Sequence, residues 1–306
     1  MTTHSASTVA TTRPVAGTVR IAMGIEYDGS AFHGWQIQDD RRTVQHELER
    51  AVAEVADHAV RVHCAGRTDA GVHALEQVVH FDTEVRRSER SWVLGTNVNL
   101  PPDVSVLWAC PVSSEFHARF CAVARHYLYR ILVRPTHPSL LRDRVVWTHR
   151  MLDPEPMRCA AADLVGEHDF SGFRALGCQA KSPVRRVHYV RLEQRREVLE
   201  LRIGADGFLH HMVRNIAGVL MAIGQGDKPA SWVRELLRLR DRRLGGVTAP
   251  PQGLYFLHVD YPEGFGLPQY VSSTLGIGIE QPNDRVTSMA PPEIQGTLEK
   301  RKCRTW

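Results

Sequence analysis

The sequence predicts an α+β fold with a single sheet, on three observations. Val19-Arg20-Ile21-Ala22-Met23-Gly24-Ile25-Glu26-Tyr27 alternates roughly apolar and polar, as a half-buried strand does. Val44, Leu48, Val52 and Val55 recur at helical spacing after Thr43, a candidate N-cap. Further strand signals at Gln77–Phe81 and Val104–Trp108 bracket a short helix over Ser91–Leu100. Strand, helix, strand, helix, strand is the order of an α+β unit.

The remaining elements follow in turn. Asp28-Gly29 is a turn pair that ends the first strand. His126–Val133 reads as a strand rich in β-branched and aromatic residues, and Met157–Val165 as a helix after Pro154. Arg185–Ile203 supplies two strands separated by a Glu- and Arg-rich turn. Gly207–Gly224 is the most apolar helix, Arg234–Arg243 an Arg-rich one, and Gly253–Val259 the last strand. At about 100–200 residues per domain, 306 residues predict two domains. We place these at 19–112 and 113–262, with a disordered arm over 1–18 and an irregular or disordered tail over 263–306.

Composition excludes several classes. Hydrophobic residues at 43% and charged residues at 24% exclude wholesale disorder. The first 18 residues carry one Arg and no apolar core of signal-peptide length, and no apolar run reaches membrane-spanning length. Six scattered cysteines form no C-x-x-C pair, which predicts reduced thiols and a cytoplasmic protein. Lys supplies four of the 38 basic residues and Arg the other 34. Either a genome-wide preference for Arg codons or a phosphate-recognising surface accounts for that imbalance. Seven arginines between Ser114 and Arg150 face only Glu115 and Asp143, a local charge of +5.

Three segments carry candidate chemistry. Gly66-Arg67-Thr68-Asp69-Ala70-Gly71-Val72-His73-Ala74 sets an acid between two glycines beside an Arg. It is either a structural turn or a loop presenting Asp69 to a bulky ligand, with Arg67 contacting phosphate or keeping the carboxylate ionised. Tyr127 and Tyr129 share one face of their strand with Arg125, either as core packing or as a surface for stacking unpaired bases. On the Phe208–Ile223 helix, Leu209, Met212, Val213, Ile216, Leu220 and Ile223 form one stripe. Arg214 lies off it, near His210 and in line with Gly218, either solvated or fronting a cleft and pairing with a carboxylate. Metal and nucleophile signatures are missing: His210 and His211, as neighbours on a helix, point different ways, and no H-E-x-x-H, paired C-x-x-C, G-x-S-x-G or phosphate-binding glycine loop occurs. No metal and no cofactor are expected.

Together these residues resemble the TruA-type tRNA pseudouridine synthases. Gly66–Ala74 is similar to that family's active-site loop. Tyr27-Asp28-Gly29-Ser30-Ala31-Phe32-His33-Gly34-Trp35-Gln36, Thr43-Val44-Gln45, Phe116-His117-Ala118-Arg119-Phe120, Tyr127-Leu128-Tyr129, His168-Asp169-Phe170-Ser171, Met212-Val213-Arg214-Asn215-Ile216 and Gly253-Leu254-Tyr255 follow in the expected order. The resemblance runs from about Val19 to Pro262. It implies two similar α+β halves sharing one large, mostly antiparallel sheet with a central cleft. It implies isomerisation of uridine to pseudouridine at tRNA positions 38 to 40, without metal or cofactor, by a homodimer. Residue by residue, it makes Asp69 the catalytic carboxylate and Tyr127 the ring against the flipped base. Arg214 becomes the partner of Asp69, and Arg67 helps fill the space the base vacates. His126 stands where Lys or Arg is commoner, which would weaken one phosphate contact. The competing readings are a non-catalytic RNA-binding protein on the same scaffold and an enzyme acting on another RNA position.

Overall fold

The computed structural model describes residues 17–268. Ten strands and five helices follow in chain order among those residues. They are β1 (Val19–Tyr27), α1 (Val44–Ala56), β2 (His63–Cys64), β3 (His73–Thr83), α2 (Glu89–Asn99), β4 (Val104–Val112), β5 (Ala124–Val133) and β6 (Val146–Thr148). Then come α3 (Pro154–Ala162), β7 (Gly166–Asp169), β8 (Val184–Arg195), β9 (Val198–Ala205), α4 (Met212–Gly224), α5 (Trp232–Leu239) and β10 (Leu254–Asp260). All the strands join one sheet in the order β4-β1-β3-β10-β5-β9-β8-β7, with β2 paired to β3 and β6 to β5. Only β10–β3 and β5–β6 are parallel. This is the single-sheet α+β architecture expected of the chain.

One pairing positions everything that follows. The last strand, β10, inserts between β3 from the first part of the chain and β5 from the second. Phe256 lies opposite Ala74 on one side and Tyr127 on the other. The loop that precedes β3 is thereby brought beside the tyrosine strand.

Local sequence explains most element bounds. On α1, Val44, Leu48 and Val52 are fully buried, as their spacing predicts. Thr43 holds the N-cap position, but its buried hydroxyl makes no cap bond. Asp153 caps α3 by accepting from the Glu155 N–H, with Pro154 in the first turn, so this helix runs earlier than Met157–Val165. Arg196, at φ 55°, turns the β8–β9 hairpin in the Glu- and Arg-rich stretch. β2, β6 and β7, at two to four residues, are too short to show a period.

Four expectations change. β1 alternates in sequence, yet Ile21, Ala22, Met23 and Ile25 are all buried, because β1 is interior to the sheet and covered on both faces. The apolar helix starts at Met212 rather than Gly207, because His211 adopts φ 60° and breaks the helical path. α5 stops at Leu239, where Arg240 turns left-handed at φ 57°, and Asp241 then caps a separate 3-10 turn over Arg242–Leu244. The expected irregular tail begins with an ordered turn over Glu263–Phe265, whose Phe265 ring meets Phe116 edge-on at 5.2 Å. The tail from residue 269 on, and nearly all of the 1–18 arm, lie outside the described residues.

Candidate active site

The Gly66–Ala74 loop is held at both ends and along its back. Gln77, fully buried on β3, accepts from the Gly66 N–H at 3.2 Å and donates to the Gly66 carbonyl at 2.5 Å. The Tyr27 hydroxyl lies 2.8 Å from Thr68 Oγ1, and the Trp35 N–H donates to the Thr68 carbonyl at 3.0 Å. Gly71 sits at φ 77°, a conformation that favours glycine, and the Val72 N–H closes the turn onto the Asp69 carbonyl at 3.2 Å. The Tyr27–Gln36 motif is therefore the bed of this loop, which fixes Asp69 at its tip.

Arg214 reaches Asp69 through a chain of packing events. Gly218, one turn on along α4, lets the Val247 carbonyl approach so closely that a Cβ would lie 1.9 Å from that oxygen. The segment so admitted donates from Ala249 N–H to the Arg214 carbonyl and accepts from Arg214 Nε at the Ala249 carbonyl, 2.8 Å away. The Tyr129 hydroxyl holds the same segment through the Pro250 carbonyl at 2.8 Å. Arg214 Nη1 is left to bond Asp69 Oδ2 at 3.0 Å. The next residue, Asn215, points elsewhere and donates to the Phe173 carbonyl at 2.7 Å, anchoring the His168–Ser171 motif region beneath α4. Of the two sequence readings of Arg214, carboxylate pairing is the one realised.

Two further groups converge on Asp69 and overturn a sequence expectation. His211 Nε2 lies 3.3 Å from Oδ2 and His210 Nε2 3.5 Å from Oδ1. Their rings are 3.9 Å apart and do not point different ways. The expectation assumed a helix through both residues. His211 instead sits in a left-handed turn ahead of α4, which swings both imidazoles to one side. Burial pushes the His211 pKa down, opposed by the Asp69 charge and reinforced by His210, Arg214 and Arg242. Proximity to Arg214 in sequence was the only signal for this pair.

Tyr127 lies beside this cluster, 8% exposed, with Phe208 and Phe256 both edge-on to its ring at 5.0 Å. Its hydroxyl is 3.7 Å from where a Cβ on Gly66 would be, so the tyrosine lies under the Asp69 loop. Burial raises its pKa, with the nearby Tyr27 and Asp69 charges acting the same way. Arg125 shares the face but is spent on four carbonyls, those of Ala65, Arg119, Ala122 and Asp206. Arg67 is exposed at the loop and makes no hydrogen bond or ion pair among the described residues. Asp69, Arg214 and Tyr127 are thus brought together, while Arg67 lies at the edge.

Two expectations about phosphate contacts are corrected. His126 is fully buried between the Tyr189 hydroxyl and Asp260 Oδ2, both at 2.9 Å, so it stands in no phosphate-facing position. Folding brings three carboxylates from outside onto the +5 segment, besides the Asp143 already counted in it. Arg130, Arg142, Arg144 and Arg150 pair with Glu200, Asp143, Asp28 and Asp227. Burial would raise the Asp28 pKa, but hydrogen bonds from Arg144 and Ser30 outweigh it and hold the group at about 2.

A family model described as tRNA pseudouridine synthase matches residues 23–121 and 160–262. A protein named tRNA pseudouridine synthase A from Methylococcus capsulatus is 60% identical over 249 residues, covering 81% of this chain and 92% of its own. Proteins of the same name from Nitrosococcus oceani and Pseudomonas aeruginosa are 57% and 56% identical, covering 82% and 83% of this chain and 97% and 90% of theirs.

Proposed function

Because this chain belongs to the tRNA pseudouridine synthase family, we propose that it isomerises uridine to pseudouridine at positions 38, 39 and 40 in the anticodon stem-loop of tRNA. The observation that carries this reading is the Asp69 carboxylate, fixed at a loop tip and bonded by Arg214 at 3.0 Å. In the reaction the N1–C1′ bond breaks and a C5–C1′ bond forms. C5 loses a proton and N1 gains one, so the isomerisation balances without an added reactant. Asp69 acts on the detaching uridine, and Arg214 keeps the carboxylate ionised and aimed. Tyr127 lies against the flipped base, and Arg67 enters the space that the base leaves.

In this reading the halves 19–112 and 113–262 supply Asp69 on one side and Tyr127 and Arg214 on the other, with the cleft between them. The enzyme acts in the cytoplasm as a homodimer and uses no metal or cofactor, as the family resemblance implies. No described helix is long and apolar enough to cross a membrane.

The test is Asp69→Asn on a tRNA bearing uridine at 38, 39 or 40. The variant is expected to fold and bind that tRNA while forming no pseudouridine. Retained turnover overturns the role of Asp69, and pseudouridine mapped only at other positions overturns the substrate assignment.

A further inference from the structure

The His117–Cys121 loop is bonded far more tightly than an exposed surface turn requires. The Arg119 and Phe120 N–H groups both donate to His117 Nδ1, at 3.1 and 3.4 Å. The Ala118 N–H donates to His80 Nδ1 at 3.1 Å, and the Ala118 carbonyl accepts from the Tyr261 hydroxyl at 2.6 Å. The Cys121 N–H closes the loop onto the His117 carbonyl at 2.9 Å. Burial pushes the His117 pKa down to about 4, aided by His63 and nearby arginines, which leaves Nδ1 free to accept.

What this framework presents is an aromatic face. The Phe120 ring rests on the His117 ring at 4.3 Å and 35°, yet Phe120 remains 59% exposed. The Arg119 guanidinium lies 5.7 Å from the same ring and has no carboxylate partner among the described residues. The platform is also tied to the Asp69 loop. Arg125 Nη2 donates both to the Arg119 carbonyl, at 2.5 Å, and to the Ala65 carbonyl, at 3.2 Å, next to Gly66.

An exposed ring backed by an imidazole, with a guanidinium beside it that has no carboxylate partner among the described residues, is the arrangement that stacks an unpaired base and holds its phosphate. We propose that Phe120 is a stacking platform for an unpaired nucleobase flanking the target uridine, with Arg119 on the adjoining phosphate. The proposal rests on the function given above, since it takes the substrate to be RNA with an unpaired loop.

The experiment measures equilibrium binding of the full chain to two labelled probes. One is an anticodon stem-loop RNA, the other the fully paired duplex of its stem. Phe120→Ala is expected to weaken stem-loop binding about five- to 150-fold, the worth of one base–aromatic stack, and to leave duplex binding unchanged. Phe120→Trp is expected to restore stem-loop binding, since any large aromatic face serves. Unchanged stem-loop binding in Phe120→Ala, equal loss on both probes, or a Trp variant no better than Ala overturns the platform. Pseudouridine formation by the unaltered protein is scored alongside. Turnover with an indifferent Phe120 sinks only the platform, whereas a Phe120-dependent stem-loop complex without turnover sinks only the function. A protein that binds neither probe sinks both.

Discussion

Arg214 holds Asp69 with one nitrogen while being held by another: Nη1 lies 3.0 Å from Asp69 Oδ2 and Nε 2.8 Å from the Ala249 carbonyl. Both bonds leave the planar guanidinium in a fixed fork, so the aim of the cation is set by the backbone rather than by its own rotamers. A lysine carries the charge as a compact, rotatable ammonium and lacks the planar fork that directs the two bonds from separate nitrogens. Arg214→Lys is therefore expected to lower kcat about 100-fold, the scale of losing one oriented donor at a reacting centre. The fold, followed by thermal unfolding, is expected to persist. A Lys variant with wild-type kcat would show that charge alone suffices.

The same argument extends to a residue that touches no substrate. A methyl group on Gly218 would meet the Val247 carbonyl at 1.9 Å and push the 247–249 segment off α4. Gly218→Ala then costs about 1–3 kcal/mol of stability, as overpacking does. It also withdraws the Ala249 carbonyl from Arg214. Activity at a temperature where the variant is fully folded is expected to fall through kcat, with KM little changed. A variant that is destabilised yet fully active would separate the packing of α4 from the aim of Arg214.

How much of this was readable in the sequence depends on the scale of each feature. Long periodic elements such as α1 and the β8–β9 hairpin lie where their residues place them, because burial of one face decides them locally. The beginning of α4 did not, since one left-handed residue, His211, has no reliable sequence mark. The same residue hid the imidazoles around Asp69. The insertion of β10 between β3 and β5 was invisible for another reason: strand order is a long-range property, and Phe256 meets Ala74 across most of the chain. The resemblance named Asp69, Tyr127 and Arg214, but their meeting depends on that insertion. Charge misled in the opposite way. Counting arginines over 114–150 ignores partners supplied from elsewhere, and Glu200, Asp28 and Asp227 are all outside that segment.

Those pairings set the expected salt dependence. RNA affinity falls with salt in proportion to the phosphates neutralised, and an arginine already paired with a carboxylate releases few counterions. Arg67 is exposed and unpaired among the described residues, whereas Arg150 is bonded by Asp227 at 2.7 Å. Arg67→Ala is expected to reduce the slope of log K against log[salt] by about one. Arg150→Ala is expected to leave it unchanged. Equal effects from both would mean that the Arg150–Asp227 pair opens on RNA.

Acid stability gives a sharper test of the loop that carries Phe120. His80 is 2% exposed, and its Nδ1 accepts from the Ala118 N–H, so it must be unprotonated to hold that bond. Burial, with His117, Arg20 and His63 adding to it, pushes its pKa down to about 2 from an ordinary 6.5. His117 is displaced the same way, to about 4. Because both values are depressed in the folded state, the unfolded chain binds more protons between them and 6.5. The histidines therefore impose no acid penalty above about 6.5, and stability is lost progressively as pH falls from there towards the folded values. For the buried His80 the loss approaches about 1.4 kcal/mol per pH unit within that window. His80→Asn keeps a short side chain with an acceptor but cannot titrate. Urea midpoints measured from pH 7 down to pH 4 are expected to fall less steeply in the Asn variant than in the unaltered chain. Parallel pH profiles would mean that the Ala118 bond survives protonation and that the loop is anchored elsewhere.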